Sequence, residues 1–444
     1  MRGIVGTDLT PPTIVSFVAA FLKTLRNEPG TLLIGRDARK SGNLIQHIVE
    51  GTANSLGWNC LLAGIVPTPT VLFATRKLGC DGGIVITASH NPAQWNALKF
   101  CDSQGLFLRE DQVRQIEAIL AKKVEFPWKD YRAIGQNSYR EDITAMHINE
   151  VLAHIDVELI RKKRFKVVVD PCGSAGSSVD RDFVEALGCT VFSINDKITE
   201  NFPREPEPVP QNLSMLGKEV LRRKAHIGFA QDPDADRLAV VSEMGRPIGE
   251  EYTLVLAGES YLRRKKTDIA VNLSTSMMVD DLAGRYGCSV YRTKIGEIHV
   301  TDTLLQKGID FGGEGNGGTI IPSINPCRDS LVAMGLILEL LAREGRNLSD
   351  ILLDFPSYSM IKNKVSLERP LPEDFYTKLR VSCMDTFKDY SYNELDGIKI
   401  YNKEEWVHIR SSNTEPAIRI MSESVKPERS EELLELCRKL VLSL

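Results

Sequence analysis

Three stretches of this chain repeat one pattern: an apolar strand, a loop of small or polar residues, a helical segment, then glycine and another apolar strand. They are TLLIGRDARKSG leading to LGWNCLLAG, KVVVDPCGSAGS leading to LGCTVFSI, and DIAVNLSTSMM leading to YGCSVYRT. Strands alternating with helices at this scale indicate βαβ units, so the copies predict related α/β domains. The loop after the first strand of each unit falls where such sheets bind ligands. The last segment breaks the pattern. There ERPLPEDFYTKLR reads as a Pro-started helix and DGIKIYNKEEWVHIRSS as a strand hairpin, which makes a separate α+β domain.

At 444 residues the chain is too long for one compact core, and several domains leave room for a cleft between them. Linker-like stretches near FPWKDYRAIGQ, NFPREPEPVPQN and DFPSYSMIKN divide it into expected domains at 1–135, 136–243, 244–358 and 359–444. A hydrophobic share of 42% and a charged share of 26%, with no run long enough to span a bilayer, argue against a membrane protein. The net charge is −4, and the basic patch Arg161 to Arg164 fits a solvated helix end, so no nucleic acid is expected as a partner. The nine cysteines are an odd number and never stand at the two-residue spacing of zinc or redox motifs. Reduced thiols and a start, MRGIVGTDLTPP, without the apolar core of a signal peptide lead to the expectation of a cytoplasmic protein.

The strongest local signal is AHIGFAQDPDADRLAVV, where Asp232, Asp234 and Asp236 alternate between two apolar strands. Carboxylates packed this closely repel one another, and a hard cation relieves the repulsion. Mg²⁺ prefers oxygen ligands and completes its shell with water or phosphate, which points to a phosphate-bearing partner. An EF-hand is excluded, because Arg237 and a strand follow where Gly and a distant Glu are needed. A haloacid-dehalogenase-like sugar phosphatase, with Asp232 as nucleophile and Asp234 as acid/base, stands as the alternative.

Three other loops bear polar chemistry. FGGEGNGGTIIP has the G-x-G-x-x-G spacing but is followed by β-branched residues and Pro322, so it opens no dinucleotide-binding helix. It fits a tight hairpin or a loop whose backbone approaches a polyhydroxyl ligand, with Glu314 accepting hydrogen bonds from sugar hydroxyls. HIRSSNTEPAIRI sets Arg410, Ser412, Asn413, Thr414 and Arg419 around one loop, a set able to surround a phosphate. TASHNPAQWNALKF holds Ser89, His90 and Lys99, and alone it reads as a turn.

Read in order, these loops resemble those of the α-D-phosphohexomutase family, whose members include phosphoglucomutase, phosphomannomutase and phosphoglucosamine mutase. TASHNP is similar to its phosphoserine loop, DPDADR to its magnesium loop, GEGNGG to its sugar loop and RSSNTEP to its phosphate loop. RGIVG, IGRDARKSG, VPTP and PEPVPQNL are secondary matches. The resemblance spans nearly the whole chain. It implies four domains around a central cleft, three similar mixed α/β units plus a C-terminal α+β domain.

It also implies an intramolecular phosphotransferase that moves a phosphoryl group between O1 and O6 of a glucose, mannose or glucosamine phosphate. Ser89 would carry the phosphoryl group, and its phosphate oxygen would join Asp232, Asp234 and Asp236 around Mg²⁺. Lys99 and Arg2 match positions considered for proton transfer, Lys99 ranking first, and His90 adjoins the serine. Arg237, Glu314, Asn316 and the residues of the phosphate loop would bind substrate, with hexose 1,6-bisphosphate as intermediate and activator. Sugar phosphates are thus the expected partners, while the chain does not tell whether it forms a homo-oligomer.

Three departures from the family pattern stand out. The chain has only Met1 before Arg2 where relatives have several residues, which leads us to expect a short N-terminal strand or a start assigned late. Ala97 replaces a common Gly, which bears on local loop geometry. In the sugar loop Asn316 and Gly318 stand where many relatives have Ser and His.

Overall fold

The structure, a computed structural model, describes the whole chain except residues 27, 368–370 and 413–416. It forms two compact units, Met1–Arg264 with Asn316–Ile351 and Lys265–Gly315 with Leu352–Leu444. Among the described residues no helix is long and apolar enough to cross a membrane.

The first unit begins with a sheet of β1 (Arg2–Ile4), β2 (Thr31–Arg36), β3 (Asn59–Ile65), β4 (Gly82–Ile86), β5 (Trp95–Asp102) and β6 (Asn137–Tyr139), in the order β1-β5-β4-β2-β3-β6. β2 lies between β3 and β4, parallel to both, while β5 runs antiparallel to β4 and the short β1 antiparallel to β5. β2 and β4 are continuous apolar runs because helices cover both faces of the sheet. Leu32, Ile34, Ile84 and Ile86 pack with Val18 and Phe21 of the helix Pro11–Leu25 and Ile45 and Val49 of the helix Lys40–Ser55. Each such buried side chain contributes about 1.5–3 kcal/mol.

A second sheet repeats the plan with β7 (Lys166–Asp170), β8 (Thr190–Ser193), β9 (Ile227–Gln231) and β10 (Leu238–Ser242), in the order β10-β9-β7-β8. Again the first strand is central, parallel to the second and third, and the fourth is antiparallel to the third. The point where the strand order reverses lies between the first and third strands, β2 and β4 or β7 and β9, and open α/β sheets bind ligands at such a point. The loops after β4 and β9 carry Ser89 and the aspartates.

The third copy appears in the second unit, where β11 (Ile269–Asn272) is parallel to both β12 (Val290–Thr293) and β13 (Gly312–Glu314). In the first unit β14 (Gly318–Ile321) pairs antiparallel with β15 (Asn325–Arg328) and leads into the helix Ser330–Glu344. That helix is capped by Asp329, whose carboxylate accepts from the Leu331 and Val332 N–H groups.

The C-terminal part of the second unit is an antiparallel sheet of β16 (Ser359–Ser366), β17 (Ser391–Asn393), β18 (Ile398–Tyr401), β19 (Glu405–Ser411) and β20 (Ala417–Ser424), in the order β16-β20-β19-β18-β17. Val407, Ile409, Ile418 and Ile420 pack against the helices Phe375–Thr386 and Pro427–Leu442, and the expected hairpin is β18–β19. The first of these helices starts at Phe375 and not at a proline, because the Phe375 N–H closes a turn onto the Pro372 carbonyl just upstream.

Candidate active site

Ser89 sits in the first turn after β4 with φ +52°, a left-handed conformation that costs a side-chain-bearing residue about 1–2 kcal/mol. Its loop is over-determined. The Ser89 N–H donates to Thr87 Oγ1 at 2.9 Å, and the Thr87 hydroxyl donates to Asp37 Oδ2 at 2.6 Å. Arg39, 1% exposed, is paired to Asp37 at 2.9 Å and donates to the carbonyls of Ser89, Asn91, Pro92 and Trp95. One guanidinium thereby holds three carbonyls of the loop and one at the start of β5, and strain of this kind persists where surroundings enforce it. The serine hydroxyl donates to Asp232 Oδ2 at 2.6 Å.

Asp232, Asp234 and Asp236 are all buried, and each offers an oxygen within 4.8 Å of the others. Ala235, also left-handed at φ +53°, turns the loop between them. Asp234 Oδ2 accepts from Lys99 Nζ at 2.6 Å and Thr68 Oγ1 at 2.7 Å, while Asp236 Oδ2 accepts from Arg328 Nη2 at 2.6 Å. Asp234 Oδ1 and Asp236 Oδ1 are buried without a hydrogen-bond partner. Burial, then Asp236 and Asp234, push the Asp232 carboxyl well above its ordinary range. Burial pushes Asp234 the same way, but Lys99 together with the Asp232 and Thr68 hydrogen bonds outweighs it and holds Asp234 well below. Orphaned, crowded, oxygen-only donors are what a hard cation needs, so the aspartates fit Mg²⁺.

Cations ring this centre. Burial favours the neutral Lys99 amine, yet Asp234 and Asp236 prevail and raise its pKa, so the ammonium is retained. Arg2 donates to Asn91 Oδ1 at 2.9 Å. The Arg237 N–H donates to Asp232 Oδ1 at 3.2 Å, and its guanidinium lies 3.8 Å from Glu207. His90 Nδ1 is 3.5 Å from Ser89 Oγ, and Arg237, burial and Arg2 lower its pKa to about 2, so the ring is neutral. Asn316 lies beside the end of the aspartate loop, since the carbonyl of the adjoining Gly317 accepts the Leu238 N–H at 3.0 Å.

In the second unit Glu314 ends β13 and is 3% exposed, its Oε1 accepting from Asn272 Nδ2 at 2.8 Å and from the Gly296 N–H at 3.2 Å. Arg410 and Arg419 are register partners on β19 and β20, and Ser412 closes that pair of strands through its N–H to the Ala417 carbonyl at 2.8 Å. Asn413 and Thr414 lie outside the described residues.

Residues 1–126, 145–245, 249–358 and 376–439 match the descriptions of phosphoglucomutase/phosphomannomutase α/β/α domains I, II and III and the C-terminal domain. The phosphoglucomutase/phosphomannomutase of Thermococcus kodakarensis is 35% identical over 446 residues, covering 99% of this chain and 97% of that protein. This chain belongs to the phosphoglucomutase/phosphomannomutase family. The phosphoglucosamine/phosphogalactosamine mutase of Sulfurisphaera tokodaii is 33% identical over 99% of this chain and 97% of its own length. In structure, the phosphoglucomutase/phosphomannomutase family protein of Burkholderia thailandensis superposes with a TM-score of 0.85 at 23% identity, over 100% of this chain and 96% of that one.

As a phosphohexomutase the chain is an isomerase-type enzyme, and the phosphatase reading finds no support in these relatives. Its departures from the family pattern are accommodated locally. Ala97 lies in regular strand opposite Arg2, so no left-handed glycine is needed there. Gly318 approaches Arg328 so closely that a Cβ would come within 2.2 Å of its Cδ, which leaves no room for a histidine while Arg328 reaches Asp236. Arg39, Asp37, Thr68 and Arg328 have no role in the sequence motifs taken alone. The Asp-x-Arg directly after β2 was the available signal for the first two, and VPTP for Thr68; Arg328 had none.

Proposed function

We propose that this phosphohexomutase moves a phosphoryl group between O1 and O6 of a hexose or hexosamine phosphate, with Ser89 as carrier and hexose 1,6-bisphosphate as intermediate and activator. The observation that carries the reading is the buried, left-handed Ser89 with its hydroxyl 2.6 Å from Asp232, beside the Lys99 ammonium that spans Asp234 and Asp236. A free hydroxyl of the substrate attacks phosphorus on phosphoserine 89 while the P–Oγ bond breaks. In a loose transition state the attacking hydroxyl gives up its proton late, so positioning and charge compensation do more than a strong base. Lys99, held protonated, lends a proton to the departing Ser89 oxygen and regains one from the attacking hydroxyl, so the proton count balances.

The bisphosphate reorients and returns its other phosphoryl group to Ser89 by the reverse step. Mg²⁺ held by Asp232, Asp234 and Asp236 and a phosphate oxygen on Ser89 would offset the negative charge of the phosphoserine. Arg2, Arg237 and Arg328 add positive charge, His90 sits neutral beside the serine, Glu314 and Asn316 take sugar hydroxyls, and Arg410, Ser412 and Arg419 grip the second phosphate together with Asn413 and Thr414. The relatives' names support glucose, mannose and amino-sugar phosphates as the substrate class. The four family matches support domain limits near 135, 243 and 358.

The test is Ser89→Ala, assayed for interconversion of hexose 1- and 6-phosphates and weighed by intact mass after exposure to glucose 1,6-bisphosphate. Loss of turnover together with loss of the added phosphoryl mass is expected. Native turnover would overturn the phosphoserine scheme, and an acid-stable phosphate absent from Ser89 in the wild type would do the same. Side-by-side rates on glucose, mannose and glucosamine phosphates rank the substrates.

A further inference from the structure

Glu314 belongs to a closed ring of hydrogen bonds that runs through a buried histidine of the C-terminal sheet. Asn272, whose amide donates to Glu314, accepts the Ser274 N–H at 2.9 Å. Ser274 Oγ is 2.8 Å from His408 Nδ1, and His408 Nε2 is 2.6 Å from the Asp396 carbonyl. The Asp396 carboxylate accepts the Ile295 N–H at 2.9 Å, and the next N–H, that of Gly296, returns to Glu314. A carbonyl only accepts, so Nε2 carries the ring proton, Nδ1 is the acceptor, and the Ser274 hydroxyl is the donor. Every link then has one donor and one acceptor.

We propose that His408 is a positioning residue of the mutase, fixing the spacing between the sugar-binding Glu314 and the phosphate-binding Arg410; this rests on the function proposed above. His408 and Arg410 are two apart on β19, so they share the face opposite Val407 and Ile409, which enter the helical core. His408 is 1% exposed. Further clamps hold the segment after β11 to the same sheet: Lys399 Nζ donates to the Leu273 carbonyl at 2.6 Å, and the Met277 N–H to Glu423 Oε2 at 2.8 Å. These neighbours flank Ser274, but the path that reaches Glu314 from both sides passes through His408. The imidazole suits the post because it donates at one end and accepts at the other without a net charge. Burial, Lys399 and Arg410 all oppose a charged ring, and its pKa falls to about 4 despite Asp396.

The test compares wild type, His408→Leu, His408→Gln and Ser274→Ala in steady-state kinetics with hexose 1-phosphate, after thermal melts establish which variants fold. The expected result is a KM raised about tenfold in His408→Leu with kcat changed less than threefold. Ser274→Ala, which removes only the donor to Nδ1, raises KM in the same direction, and Gln, able to donate and accept, recovers part of the loss. A folded His408→Leu or Ser274→Ala variant with native KM overturns the proposal, as does an equal fall in kcat with KM unchanged. Nitrogen-15 spectra of the wild-type histidines test the ring without substitution: the Nε2–H tautomer, uncharged at pH 6, is expected for His408, and a protonated ring or the Nδ1–H tautomer would refute it. A wild type without mutase turnover would instead overturn the proposed function and leave the tautomer result to judge the ring alone.

Discussion

Arg410 and Arg419 stand directly opposite one another on adjacent antiparallel strands, with Arg410 only 8% exposed. Like charges paired across strands destabilise a sheet; burial first, and then Arg419, lower the Arg410 pKa despite Asp396. A phosphate bound by both relieves the repulsion. Inorganic phosphate at matched ionic strength is therefore expected to raise the melting temperature of the wild type, and Arg419→Ala to reduce that rise. The same substitution should raise KM by about 10–100-fold, the equivalent of one charge-assisted hydrogen bond of about 1.5–3 kcal/mol. An undiminished phosphate shift and native KM in the variant would remove Arg419 from the phosphate grip.

The effect of Asp232→Asn on stability depends in sign on whether metal is bound. Without a cation Asp232 adds repulsion to Asp234 and Asp236, so Asp232→Asn is expected to raise the melting temperature of chelator-treated protein. With Mg²⁺ the order reverses, since saturation at a hundred times Kd stabilises the wild type by about 2.7 kcal/mol and the variant by less. Melts with chelator and with Mg²⁺ check both signs. A variant less stable than wild type in chelator would show that the Ser89 and Arg237 hydrogen bonds to Asp232 outweigh the repulsion.

These groups differ in how far the chain itself reveals them. β2, β7 and β11 are buried parallel strands and read as apolar runs, so the repeated units are visible without any structure. Ser89 and the aspartates are local motifs. Arg39 reaches the Ser89 carbonyl across 50 residues, and Arg328 reaches Asp236 across 92, so their roles exist only once the sheets have assembled. The helix begins at Phe375, past Pro372, because the Pro372 carbonyl closes a turn with the Phe375 N–H and so ends a turn where a first helical residue is expected.

Ser89 allows strain and chemistry to be separated. Its φ of +52° suits glycine far better than alanine, so Ser89→Gly should be more stable than Ser89→Ala by about 1 kcal/mol although neither carries an oxygen for phosphoryl transfer. Urea unfolding of the two variants, read beside their mutase rates, measures the difference. Equal stabilities would mean that the loop relaxes once the Asp232 hydrogen bond is gone.

Asp180 is 2% exposed at the edge of a cavity of about 150 Å³ formed with Val169, Pro171, Ser177 and Ser193, and neither of its oxygens finds a hydrogen-bond partner. The neighbouring Gln231 amide gives one of its two N–H groups to Ser330 Oγ at 2.8 Å, and its side chain offsets only part of the effect of burial on Asp180. Burial, reinforced by Asp170, pushes the Asp180 pKa well above its ordinary value. A carboxyl raised in the native state lets the unfolded chain release its proton first. The penalty therefore grows as pH climbs from about 4 towards the native pKa and is absent below the unfolded value. Asp180→Asn, which removes the ionisation, is expected to stabilise the protein by about 1–3 kcal/mol at pH 7 and by much less at pH 4. Thermal or urea unfolding of both proteins at the two pH values decides it: a gain that does not shrink towards acid would trace the effect to packing in the cavity and not to the charge.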